Sequence, residues 1–95
     1  DRQKRLVTVQ GKPARRAELT EGETDVLAVL MEQADKVLSC SELASAAMGY
    51  EPDKWNAESM IRPYIFRLRR KLEEIPEKPR LIRTVRGRGY FLSLT

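Results

Sequence analysis

The spacing of apolar and polar positions divides this 95-residue chain into β-prone ends and a helical middle. Arg5 to Val9 (RLVTV) is β-prone, Gln10-Gly11-Lys12-Pro13 reads as a turn, and Ala14 to Leu19 returns as a second strand. Thr20-Glu21-Gly22-Glu23 then forms a capping box, in which threonine takes an orphan amide and glutamate reaches back three residues. The helix it opens runs from about Glu21 to Ala34 and buries Val26, Leu27, Leu30, Met31 and Ala34. Val37-Leu38 is expected as a single strand rung. Ser39-Cys40-Ser41-Glu42 is a second capping box, starting a short helix that ends at Ala47 or Met48. Leu43, Ala44 and Ala47 are its packing residues, and Gly49 closes it in the left-handed conformation. At the far end, Leu81 to Val85 (LIRTV) and Tyr90 to Leu94 (YFLSL) predict a hairpin whose tip is Arg86-Gly87-Arg88-Gly89.

The longest helical pattern lies between these parts, from about residue 57 to residue 75. Apolar residues recur at Ile61, Ile65, Leu68, Leu72 and Ile75, the stripe of a helix laid against a core. At about 100° per residue, Ser59, Pro63, Phe66, Arg67 and Arg70 point the other way, with Arg62 and Arg69 on one flank. Asp53, Asn56 and Ser59 are the candidate caps. Pro63 removes a helical hydrogen bond and crowds the carbonyl of Ser59, so an early bend is expected there. Pro76-Glu77-Lys78-Pro79 is expected to stop the helix. A rod buried on one side and studded with guanidiniums on the other reads as a nucleic-acid recognition helix. The element order implies an α+β fold, a winged helix-turn-helix of three helices with an N-terminal β-hairpin and a C-terminal β-hairpin wing at 81–94.

Ninety-five residues with 41% hydrophobic content support one domain, residues 1–95, with a single core. The chain starts at Asp1, and we expect it to be a piece of a longer protein. No run approaches the ~18 apolar residues of a membrane span, so no membrane association is expected. A lone cysteine, Cys40, fits a small core residue in a reducing, cytoplasmic setting. Histidine is absent, and no nucleophile–base pair or convergent carboxylate set stands out. Enzyme activity, a metal site and a cofactor are therefore not expected.

Charge sharpens this picture through its distribution. Residues 1–16 carry a net +5, residues 17–58 a net −8 and residues 59–95 a net +7. The last segment holds eight arginines against two lysines. A solvated surface can use either residue, whereas the planar arginine fork suits phosphate and guanine. A basic C-terminal third is the footprint expected for a polyanion.

The runs LTEGETDVLAVL, IFRLRRKLE and PRLIRTVRGRGYFL resemble the C-terminal effector domain of OmpR/PhoB-type response regulators, from about Leu6 to Leu94. The resemblance implies sequence-specific binding of double-stranded DNA, commonly as tandem or paired protomers on repeated half-sites. By that pattern Arg67 reads a base, with Pro63 and Tyr64 at groove-facing positions. Arg69 and Thr84 fall at phosphate positions, and Arg86 enters the minor groove from the wing. The outward Arg62 and Arg70 and the wing residue Arg88 complete the expected phosphate set. The loop from Tyr50 through Glu51, Asp53 and Lys54 to Trp55 matches the segment that meets RNA polymerase. The family often has Arg-Thr-Val-Asp-Val-His where this chain has Ser59-Met60-Ile61-Arg62-Pro63-Tyr64, and tryptophan where this chain has Met48.

Two residues stay open at this level. Trp55 fits a lid on the core, the safer reading, or an exposed protein contact. Phe66 fits packing beneath the Tyr50–Trp55 loop, contact with thymine methyls, or contact with a neighbouring protomer. The alternative function is a winged-helix module that binds protein or RNA. Acids spread along the third helix would favour it, and here Glu73 and Glu74 lie only at the helix's far end.

Overall fold

The computed structural model describes residues 5–9, 15–49 and 53–93, with side chains from 17–49 and 53–93. Strand β1 (Arg5–Val9) pairs antiparallel with β2 (Arg15–Leu19), Arg5 opposite Leu19. The turn expected at Gln10–Pro13 lies outside the described residues. Helices α1 (Glu21–Glu32), α2 (Cys40–Met48) and α3 (Lys54–Leu72) follow, and strands β3 (Ile82–Val85) and β4 (Gly89–Leu92) form the second hairpin. This is the expected α+β order of three helices between two hairpins.

Local chemistry sets the boundaries. Both capping boxes form: Thr20 Oγ1 accepts the Glu23 amide at 3.2 Å, and Ser39 Oγ accepts the Glu42 amide at 3.0 Å. Gly49 ends α2 at φ 84°, where a Cβ is disfavoured. Asp53 is the cap of α3, accepting the Asn56 amide at 2.8 Å. Pro63 sits inside α3 without interrupting it.

The structure corrects three expectations. First, α3 covers 54–72 rather than 57–75, and Ile75 is more than half exposed beyond its end. The helix stops at Glu73, ahead of the prolines, because the buried Glu73 carboxylate accepts the amides of Arg80, Leu81 and Ile82. Second, α1 ends at Glu32, and Met31 is mostly exposed. Met31 lies one turn beyond Leu27 but well round the helix from Val26 and Leu30, at the edge of the stripe. Third, Trp55 is 75% exposed and is no lid. It occupies the second position of α3, on the side away from Ala57 and Ile61.

Leu43, Ile61, Ile65 and Leu68 are fully buried with Val26, Leu30 and Ile82, so α3 packs on α1 and α2 over one core. Each such side chain contributes about 1.5–3 kcal/mol by leaving water. The wing is pinned to this body. The expected strand rung at Leu38 pairs with Tyr90, through N–H···O contacts of 2.8 and 2.9 Å. Asp35 donates its amide to Leu92 at 2.8 Å. Gly89 holds φ 148°, and a Cβ there would collide with the Leu38 carbonyl.

Candidate nucleic-acid interface

Burying Ala57, Ile61, Ile65, Leu68 and Leu72 forces the opposite side of α3 into water. That side presents Arg62, Pro63, Phe66, Arg67 and Arg70, all exposed. The Arg70 guanidinium lies 5.7 Å from the Phe66 ring centre. Arg62 pairs loosely with Glu58 one turn earlier, at 3.7 Å. Tyr64 is half-buried, its ring packed on Gly22 of α1 so closely that a side chain there would clash. The Arg67 guanidinium lies over that ring, 4.9 Å from its centre.

Arg67 and Lys71 converge on Glu23, which sequence reasoning takes only as a cap. Arg67 Nε donates to Glu23 Oε2 at 3.1 Å, and Lys71 Nζ donates to Glu23 Oε1 at 2.6 Å. The Thr20 amide also reaches Oε1, at 3.0 Å, while Lys71 extends to the Glu18 carbonyl. Burial raises the Glu23 carboxyl pKa, but donors from Lys71, Thr20 and Arg67 outweigh it and leave the group below its ordinary value. The sequence does carry a signal for this. Glu23 stands three residues before Val26 and seven before Leu30, in the middle of the apolar stripe.

Arg69 is turned toward the wing. Its Nε and Nη2 donate to the Ile82 carbonyl at 3.1 and 2.9 Å, and Nη2 reaches Thr84 Oγ1 at 2.6 Å. The Tyr90 ring lies 5.6 Å away. The fold thus brings together Arg69 and Thr84, two of the five expected phosphate residues, and gives Arg69 a role inside the domain as well. Arg86 and Arg88 stand exposed at the wing tip. A cleft of about 350 Å³ separates the start of α2 from the wing, lined by Ser41, Lys54, Arg62, Thr84 and Arg88 with Glu58 as an acid.

The loop residues are less united. Tyr50 and Glu51 lie outside the described residues. The Asp53 carboxylate is engaged in capping, Lys54 turns to the cleft and Trp55 stands in water. Cys40 is half-buried against the core; burial, then Glu58, raises its thiol pKa, which disfavours the thiolate. Among the described residues no three metal-ligating side chains converge. No helix among them is long and apolar enough to cross a membrane.

Comparison with known proteins places this geometry. Residues 14–92 match the family described as "Transcriptional regulatory protein, C terminal", a non-enzymatic kind. The regulatory protein VirG of Rhizobium rhizogenes is 41% identical over 90 residues, covering 95% of this chain and 35% of that protein. The DNA-binding dual master transcriptional regulator RpaA of Synechocystis is 40% identical over 77 residues, covering 81% of this chain and 31% of that protein. The chain therefore spans about a third of the length of these relatives. Among solved structures, the DNA-binding domain of CpxR from E. coli superposes with TM-score 0.66 at 29% identity, covering 82% of this chain and 74% of that one. The Klebsiella pneumoniae RstA DNA-binding domain, solved in complex with the RstA box, gives TM-score 0.72 at 25% identity, covering 84% and 81%. The hairpin-flanked helices, the basic face of α3 and these likenesses agree, and the chain belongs to the OmpR/PhoB-type family of response-regulator C-terminal domains, with a winged helix-turn-helix fold.

Proposed function

We propose that this chain is the output domain of a transcriptional regulator and binds double-stranded DNA by sequence. In this reading α3 enters the major groove and the wing reaches toward the minor groove. The carrying observation is the two-sided character of α3, whose one face closes the core while the other holds arginines in water. A helix is narrow enough to enter a major groove about 12 Å wide.

Roles follow from how each side chain is held. Glu23 occupies the Nε of Arg67, so the terminal nitrogens of Arg67 are the edge that addresses a base, guanine being the natural bidentate partner. Tyr64 braces that guanidinium, and Pro63 faces the groove beside it. Arg62, Arg70 and Arg88 contact phosphate, Thr84 and Arg69 meet it together between α3 and the wing, and Arg86 enters the minor groove. The exposed Trp55, with Lys54 and its neighbours Tyr50, Glu51 and Asp53, supports an RNA polymerase contact. Pairing of protomers on repeated half-sites and a cytoplasmic location belong to the same reading.

Selection of bound duplexes from a random pool, followed by mobility shifts at several salt concentrations, tests it. Affinity for a selected duplex should exceed that for random duplex and fall with log salt at about −0.9 per phosphate neutralised. Equal binding to all duplexes, or to none, would overturn it.

A further inference from the structure

We propose that Phe66 is a specificity-determining residue that reads the 5-methyl group of thymine in the major groove. The inference rests on the reading above and adds an apolar contact to it. Phe66 is 60% exposed near the middle of the outward face of α3. Ser59, Arg62, Pro63 and Arg70 fall seven, four and three positions before it and four after it, all on the same side of the rod. An aromatic ring held in water there gains nothing for the core, which lies on the opposite side.

The expected occupant follows from what surrounds the ring. Arg62 and Arg70 flank it one turn away on either side, and Arg70 lies over its face at 5.7 Å. That pattern matches a site whose walls are anionic and whose floor is apolar. In the major groove the base edges offer donors, acceptors and one apolar group, the thymine methyl. A protein partner would have to bury the same arginines. Phosphates on the two groove walls would pair with them while the ring meets the floor.

The test replaces each thymine of a selected duplex by deoxyuridine, which removes the methyl and keeps the pairing edge. Binding by the wild-type chain should weaken about 4-fold at one or two thymines, the worth of one buried methyl. The same replacements should leave the Phe66→Ala variant unaffected. Phe66 is exposed, so this variant should keep its fold, which circular dichroism checks. The proposal is overturned if deoxyuridine changes nothing at any position, if wild type and variant lose equally, or if the selected sites lack thymine. It is also overturned if Phe66→Ala abolishes self-association while the deoxyuridine penalty persists. Failure to bind any duplex would instead sink the DNA-binding reading itself.

Discussion

Glu23 and Arg67, 44 residues apart in sequence, meet at 3.1 Å across the α1–α3 contact. The glutamate side chain is 1% exposed and the arginine 47%, so the pair anchors a solvent-facing guanidinium on a buried carboxylate. Lys71 closes on the same carboxylate at 2.6 Å. Removing Glu23 therefore strands two cations and an amide. Because both cations reach water, they can rehydrate, which limits the penalty. Glu23→Ala should cost about 1–3 kcal/mol, read as a lowered denaturant midpoint.

Acid should act through the same group. The folded Glu23 pKa lies below its unfolded value, so the unfolded chain binds more protons as pH falls. Its contribution is complete above the unfolded carboxylate value of about 4.3 and is lost as pH drops through the lowered folded value. Unfolding curves across that range should be steeper in pH for wild type than for Glu23→Gln. Parallel curves would remove Glu23 from the account of acid sensitivity.

Arg67→Ala should cost about 1–3 kcal/mol on a selected duplex while changing random-duplex binding less. The variant also frees Glu23 from one donor, so its stability must be measured alongside. Leu68→Ala, next in sequence but fully buried, should instead lose about 2–5 kcal/mol of stability by opening a cavity. Unaltered affinity and preference for Arg67→Ala would remove it from the base-reading role.

Arg69→Ala should weaken binding to every duplex alike, with a shallower salt slope. The Ile82 carbonyl and Thr84 hydroxyl lose their shared donor at the same time. Hydrogen exchange should consequently quicken in β3 and β4 relative to the buried centre of α3. A wing unchanged in exchange would confine Arg69 to surface charge.

How much of this was legible depended on range. The boxes at Thr20–Glu23 and Ser39–Glu42 and the glycine at 49 act within a few residues, and the sequence displays them directly. The stripe from Ile61 to Leu72 is equally plain, since burial repeats with the helical turn. Ile75 continues the spacing, yet nothing local reveals that Glu73 will turn out to meet amides seven to nine residues on. Glu23 satisfies a cap, which hides its second task with partners on α3. The outward arginines are visible as charge, whereas only coordinates separate Arg67, held by Glu23, from Arg69, turned to the wing. Trp55 escapes periodic reasoning because the expected loop is already the first turn of α3.

Glu73 offers the most direct test of how the wing is hung on α3. Its buried carboxylate accepts from Arg80 at 2.8 Å, from Leu81 at 3.0 and 3.1 Å, and from Ile82 at 2.8 Å. Those amides lead into β3 and include that of its first residue, Ile82, so one side chain both ends the helix and fixes where the wing begins. Hydrogen bonds to a charged acceptor are each worth about 1.5–3 kcal/mol, and they act here as a group. Glu73→Ala should therefore destabilise the domain by about 3–5 kcal/mol, on the scale of the largest core truncations. Glu73→Gln keeps the shape and one good acceptor, and should recover part of that loss. If both variants melted like wild type, the wing would have to be positioned by its other ties to the body, among them Arg69, the Leu38–Tyr90 rung and the Asp35–Leu92 hydrogen bond.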